Sequence, residues 1–147
     1  NAGLNNMFSL VYDNANRFYI DFNFDYKLNN IVLKANVMFQ NVKTQQLKEP
    51  WYTPKFKADL AIEYTAADKF TIAFIPAFFS PMKCENEKGE IVKLKSGIDI
   101  NLNASYNYSD QLVFFVELNN LAFQRYYEYY NYPSQRFVGL LGARFAF

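Results

Sequence analysis

The chain has 147 residues, 20% of them aromatic and 20% charged, with one cysteine, no histidine and a formal net charge of +1. One domain over residues 1–147 fits that length; the missing histidine removes every Ser-His-Asp triad, imidazole shuttle and His-based zinc centre, and lone Cys84 can neither close an internal disulfide nor build a cysteine-rich metal cluster. The near-neutral balance argues against a nucleic-acid partner, and no apolar run approaches the ~18 residues of a transmembrane helix.

The segment after Asn1 lacks a basic stretch followed by an apolar one, so no signal peptide is legible. It reads as the start of a mature product or of an excised piece. A first strand is expected over 6–13, with Phe8, Leu10 and Tyr12 on one side. The next, 17–28, shows the pattern best. Phe18, Ile20, Phe22, Phe24, Tyr26 and Leu28 alternate with Tyr19, Asp21, Asn23, Asp25 and Lys27. Successive strand side chains point to opposite faces, so one face is apolar and the other polar.

The same period of two predicts strands over 31–42, 55–65, 69–80, 93–108, 111–121 and 136–147, about eight in all. Their apolar rows carry no charge, and thirteen of the sixteen phenylalanines fall on them. Asp21, Asp25, Asp59, Glu63, Asp99 and Glu117 lie on the opposite face with Lys27, Lys34, Lys57, Lys95, Arg136 and Arg144, interleaved with Asn23, Asn36, Asn101, Asn103 and Asn107. Pro76 interrupts an apolar row, and a proline removes a ladder donor. A bulge or a change of phase is expected there.

Two architectures share this alternation. A soluble, lipocalin-like up-and-down barrel turns the apolar face inward around a small apolar ligand. A membrane barrel turns it toward lipid. Volume decides. In the eight-stranded parallel barrel about twelve side chains in three layers fill the interior, and thirteen phenylalanines with their aliphatic neighbours would not fit. The expected class is therefore all-β, an antiparallel up-and-down transmembrane β-barrel. Its polar face lines a lumen where those charges form a balanced network. A Lys or Arg on the lipid face would cost roughly 2–4 kcal/mol at the midplane, which explains the missing charges. Closure leaves no unpaired edge in hydrocarbon.

Aromatic residues near strand ends (Tyr12, Tyr26, Tyr64, Tyr106, Tyr108, Phe18, Phe137 and Phe147) suit interfacial girdles. Tight turns at 28–30, 66–68 and 109–111 alternate with longer connections at 43–54, 81–92 and 122–135. Short periplasmic turns and long extracellular loops alternate in this way. An even strand count puts both ends of the chain on the short-turn side.

The last stretch carries Leu118-Asn119-Asn120-Leu121, then Tyr126 to Gln135, then a strand ending on Phe147. It resembles the C-terminal end of Bacteroidetes-type outer-membrane barrels of the TonB-dependent-receptor-like kind, through Asn120, Leu121, Gln124, Tyr126, Tyr132, Pro133, Gln135 and Phe147. The resemblance covers about the last thirty residues. It implies the outer membrane of a Gram-negative bacterium, a transport-related or structural role at the cell surface and no catalysis. It also implies outer-membrane lipids as surroundings, assembly machinery that reads the terminal strand, and a surface lipoprotein or another outer-membrane subunit as partner. Neither a plug domain nor a TonB box is legible, and such receptors have about 22 strands. The chain is a complete small barrel or the closing strands of a larger one.

Trp51, Tyr52, Tyr127, Tyr129, Tyr130 and Tyr132 in the long loops could stack on a ligand, a glycan for example. Anchoring of the rim explains them more simply. Asp21, Asp25, Asp59 and Glu63 could pair as acid and base, but an ion-pair network accounts for them better. The run 83–90 reads as a solvated loop tip. The triplets at Asn103 and Asn107 match glycosylation acceptors but lie on a strand. No cofactor or metal is expected.

Overall fold

The alternation produces single long strands in six of the eight segments where it predicts them. The computed structural model describes residues 12–147, and the strand expected over 6–13 lies almost entirely outside them. Four long strands come first: β1 (Ala15–Leu28), β2 (Ile31–Thr44), β3 (Phe56–Ala66) and β4 (Phe70–Phe79). A small hairpin follows, β5 (Met82–Glu85) and β6 (Ile91–Leu94), then β7 (Gly97–Asn107) and β8 (Leu112–Asn119). Short β9 (Tyr127–Tyr129) and β10 (Tyr132–Pro133) pair with each other, and β11 (Val138–Phe145) ends the chain.

The long strands form one seven-stranded sheet in the order β1-β2-β3-β4-β7-β8-β11, each antiparallel to its neighbour. The up-and-down order is as expected. Closure is not reached among the described residues, because β1 and β11 are the two edges of an open sheet. The short turns have the chemistry that tight reversals need. Asn29 takes a φ of 47°, and Ala67 and Asp68 take 50° and 54°, the left-handed values that match hairpin twist. All three long connections leave the opposite edge. That edge also holds the start of β1, whose neighbour Asn14 accepts from Gln45 N. Beside it the Asp13 carboxylate accepts from Leu47 N and Gln46 N. These bonds to the charged form hold its pKa below the usual carboxylate value. The chain ends on the short-turn side, where Ala146 N donates to Gln111 O.

Two expectations need correction. Pro76 causes neither a bulge nor a phase change: Asp59↔Ala77 and Ile62↔Phe74 keep one register on either side of it. Within this ladder Leu60 and Ala61 lack a partner on β4, while Pro76 still opposes Ile100 on β7. The missing donor falls on the β3 side and interrupts the ladder locally. The strand expected over 93–108 is also two strands. The chain breaks at Lys95-Ser96, and Leu94 is buried in the hairpin instead of lying on the apolar face.

The apolar face is bare. Phe22 is 60% and Phe114 44% exposed, and accessible surface totals 11311 Å², against about 7,800 Å² for a globular protein of this mass. No apolar interior encloses a ligand among the described residues. Their buried apolar side chains are Met82, Cys84 and Leu94, gathered on one face of the β5–β6 hairpin under Tyr52, Phe79, Val92, Tyr127 and Tyr130.

Candidate functional site at the rim

Residues opposite each other in a ladder share a face, so the register locates the predicted charges. One row crosses all seven strands: Lys27, Val32, Glu63, Ala73, Asn103, Glu117 and Leu140. A second runs Asn23, Asn36, Asp59, Ala77 and Asp99. A third begins with Asp25 opposite Lys34, and a fourth with Asp21, Met38 and Lys57. Arg144 lies opposite Val113 on the same face, whereas Lys95 and Arg136 lie in connections.

These charges share a face without touching as ion pairs. The ion pairs among the described residues are Lys48–Glu85 at 3.9 Å and Lys83–Glu49, both between the β2–β3 connection and β5. Neighbouring strands lie about 4.8 Å apart, so Lys27 and Glu63, with Val32 between them, sit about 10 Å apart along their row. The rows are joined by amides: Asn36 donates to both Asp21 Oδ1 and Asn23 Oδ1, each at 2.7 Å. Glu63, Asn103, Glu117 and Arg144 border one recess of about 370 Å³ on this face.

The long connections lean onto the polar face. Tyr126 donates its hydroxyl to Asp99 Oδ2 at 3.2 Å, and its ring meets Phe79 edge-on at 5.3 Å. Burial and the adjacent Asp99 carboxylate push the Tyr126 phenol up to about 12. Gln124 Oε1 accepts from Ile98 N at 2.6 Å, and Leu121 N donates to Ile100 O at 2.8 Å. Asn120 ties the connection together. It follows β8 at a φ of 52°, donates from Nδ2 to Gln124 O and Gln135 O at 2.8 and 2.7 Å, and donates from its backbone N to Asn101 Oδ1 at 3.0 Å.

Four of the six predicted loop aromatics meet here. Tyr52, Tyr127 and Tyr130 pack on the Met82–Cys84–Leu94 cluster, and Tyr52 meets Tyr129 at 5.3 Å between ring centroids. Tyr52, Lys57, Phe79, Met82, Glu128 and Tyr129 border a cleft of about 150 Å³. Burial raises the Tyr52 phenol above its ordinary pKa. Trp51 is half-buried and Tyr132 is 59% exposed. Sequence reasoning missed the partners that build the rim: Met82, Leu94, Glu49, Lys83 and Glu128. Their one advance signal was the apolar alternation of 82, 84, 92 and 94 in and around the charged run 83–90. The arrangement offers rings, an ammonium and a carboxylate around a shallow cleft, which suits contact with a solute. No group of three or more Cys, Asp or Glu gathers closely enough to hold a metal ion among the described residues.

No family model matches the chain, and no curated protein matches it. Among solved structures it is similar to the pyoverdine outer membrane receptor FpvA from Pseudomonas aeruginosa PAO1, bound there to pyoverdine, with a TM-score of 0.70 and 16% identity. The match covers 82% of this chain and 20% of that one, so the chain spans about a fifth of the receptor's length. The likeness concerns the fold: a receptor-like, all-β wall of antiparallel strands.

Proposed function

We propose that this chain forms part of the wall of a TonB-dependent-receptor-like barrel in the outer membrane of a Gram-negative bacterium. Its work there is transport-related or structural, with no catalytic step. The observation that carries the reading is the pairing of an uncharged, uncovered apolar face with a receptor-like strand order. Hydrocarbon is the environment in which such a face is stable, and it demands that strand edges be paired. Among the described residues β1 and β11 are open edges, and lipid calls for strands to pair with them. The Bacteroidetes affiliation rests on the run from Asn120 to Gln135 and the terminal Phe147.

Outer-membrane lipids face the apolar rows in this reading, and assembly machinery reads the strand ending at Phe147. The rim of Tyr52, Tyr127, Tyr129 and Tyr130 faces outward, toward solute or a surface lipoprotein or other subunit. The test is fractionation of the full-length protein in a Gram-negative host. It is expected to sediment with outer membranes and to need detergent for extraction. A protein that stays monodisperse in plain buffer contradicts the reading.

A further inference from the structure

We propose that the cleft between the β2–β3 connection and the β5–β6 hairpin binds an anionic oxygen group, a phosphate or a carboxylate. The proposal does not depend on transport. In the hairpin, Met82, Cys84, Val92 and Leu94 turn one face into the buried cluster, so the other face stays outside. On that outer face Lys83 and Lys93 are direct ladder partners. Like charges placed opposite each other across a ladder destabilise it. Lys55 reaches the same cleft from the β2–β3 connection, and the space they border is about 320 Å³, within the usual range of small-molecule sites.

Glu49 is the one carboxylate bordering the cleft, and it is paired with Lys83. Neither Lys55 nor Lys93 has an ion-pair partner among the described residues. The cleft therefore carries a surplus of positive charge in a chain whose overall balance is near zero. The three acidic side chains of the hairpin do not border the cleft: Glu85 pairs with Lys48, Glu90 accepts from Asn86 at the tip, and Glu87 lies at the same tip. A neutral donor completes the site. Ser80 Oγ accepts from Phe56 N at 3.1 Å, which leaves the Ser80 hydroxyl proton free to donate. Two ammonium groups and a hydroxyl around one recess match the donor set that phosphate and carboxylate oxygens use.

The test is residue-resolved lysine acylation, read by mass spectrometry on the full-length folded protein in a neutral sugar detergent. Inorganic phosphate is compared with chloride at equal ionic strength. Several-fold protection of Lys55 and Lys93 by phosphate, with Lys48 and Lys88 unchanged, is the expected result, and calorimetric binding of phosphate should be lost in a Lys55→Gln/Lys93→Gln double variant. A second arm places the protein in phosphatidylglycerol vesicles. Protection in detergent assigns a free anion as the occupant, and protection only in vesicles assigns a lipid headgroup. Equal acylation of all four lysines in both arms, or binding undiminished in the double variant, overturns the proposal.

Discussion

Phe115 lies flat over Gly142. The two are ladder partners on the polar face, and a Cβ built on Gly142 would come 2.5 Å from Phe115 Cζ. Phe79 covers Gly97 in the same way. The ring covers backbone that a glycine leaves exposed, a cross-strand device that also fixes register. These pairs explain why Phe79 and Phe115 stand on the face otherwise given to polar residues.

Gly142→Ala should therefore destabilise the sheet by about 1–3 kcal/mol, the usual cost of overpacking. Gly139→Ala is the control, since its nearest neighbours would stay at 3.5 Å or more. Urea unfolding of lipid-reconstituted protein should show a lower midpoint for the first and little change for the second.

The motif at Asn120 acts as a clamp. Asn120→Asp keeps the shape but loses the donors to Gln124 O and Gln135 O, and unpaired buried acceptors cost about 1–3 kcal/mol. Limited proteolysis should cut the 120–137 connection faster in this variant, with the sheet unchanged by circular dichroism.

Much of this was legible in the sequence, and the missing parts have physical reasons. Period-two alternation located β1 to β4, β8 and β11 because each strand is long and keeps one phase, as in Phe18 to Leu28. The resemblance motif pointed to Asn120, Gln124 and Tyr126. What they hold was not legible, because Ile98, Asp99 and Asn101 reach them only through the fold. The hairpin at Met82 and Leu94 was hidden because four-residue strands in a charged run leave almost no periodic signal. Alternation assigns charges to a face but not which of them meet: Lys27 and Glu63 share a row, and Asp25 and Lys34 are ladder partners, yet neither pair forms an ion pair among the described residues.

The Tyr126 phenol, raised to about 12, should remain protonated where exposed tyrosines ionise. A raised pKa in the folded state means that its stabilisation is complete below pH 10 and fades as pH rises toward 12. The difference between wild-type and Tyr126→Phe absorbance near the phenolate band should therefore appear only at the top of the titration. Resistance of the connection to proteolysis should fall over the same interval in the wild type.

Cys84 is fully buried, and burial raises its thiol pKa. Thiolate is the reactive form, so maleimide should leave Cys84 unmodified in the folded protein and label it after denaturation. Tyr52→Ala, which uncovers the cluster, should speed labelling without unfolding the sheet.

The central claim is that the uncharged rows face acyl chains and the polar rows do not. Nitroxide labels at Phe22, Phe114 and Leu141 on one face, and at Asn23, Asn103 and Glu117 on the other, test it in lipid-reconstituted full-length protein. Collisions with oxygen, which partitions into the bilayer, should dominate at the first three, and collisions with a water-soluble nickel chelate should be stronger at the second three. A reversed pattern, or labels at Phe22 and Phe114 shielded from both reagents as in a soluble core, would contradict the account.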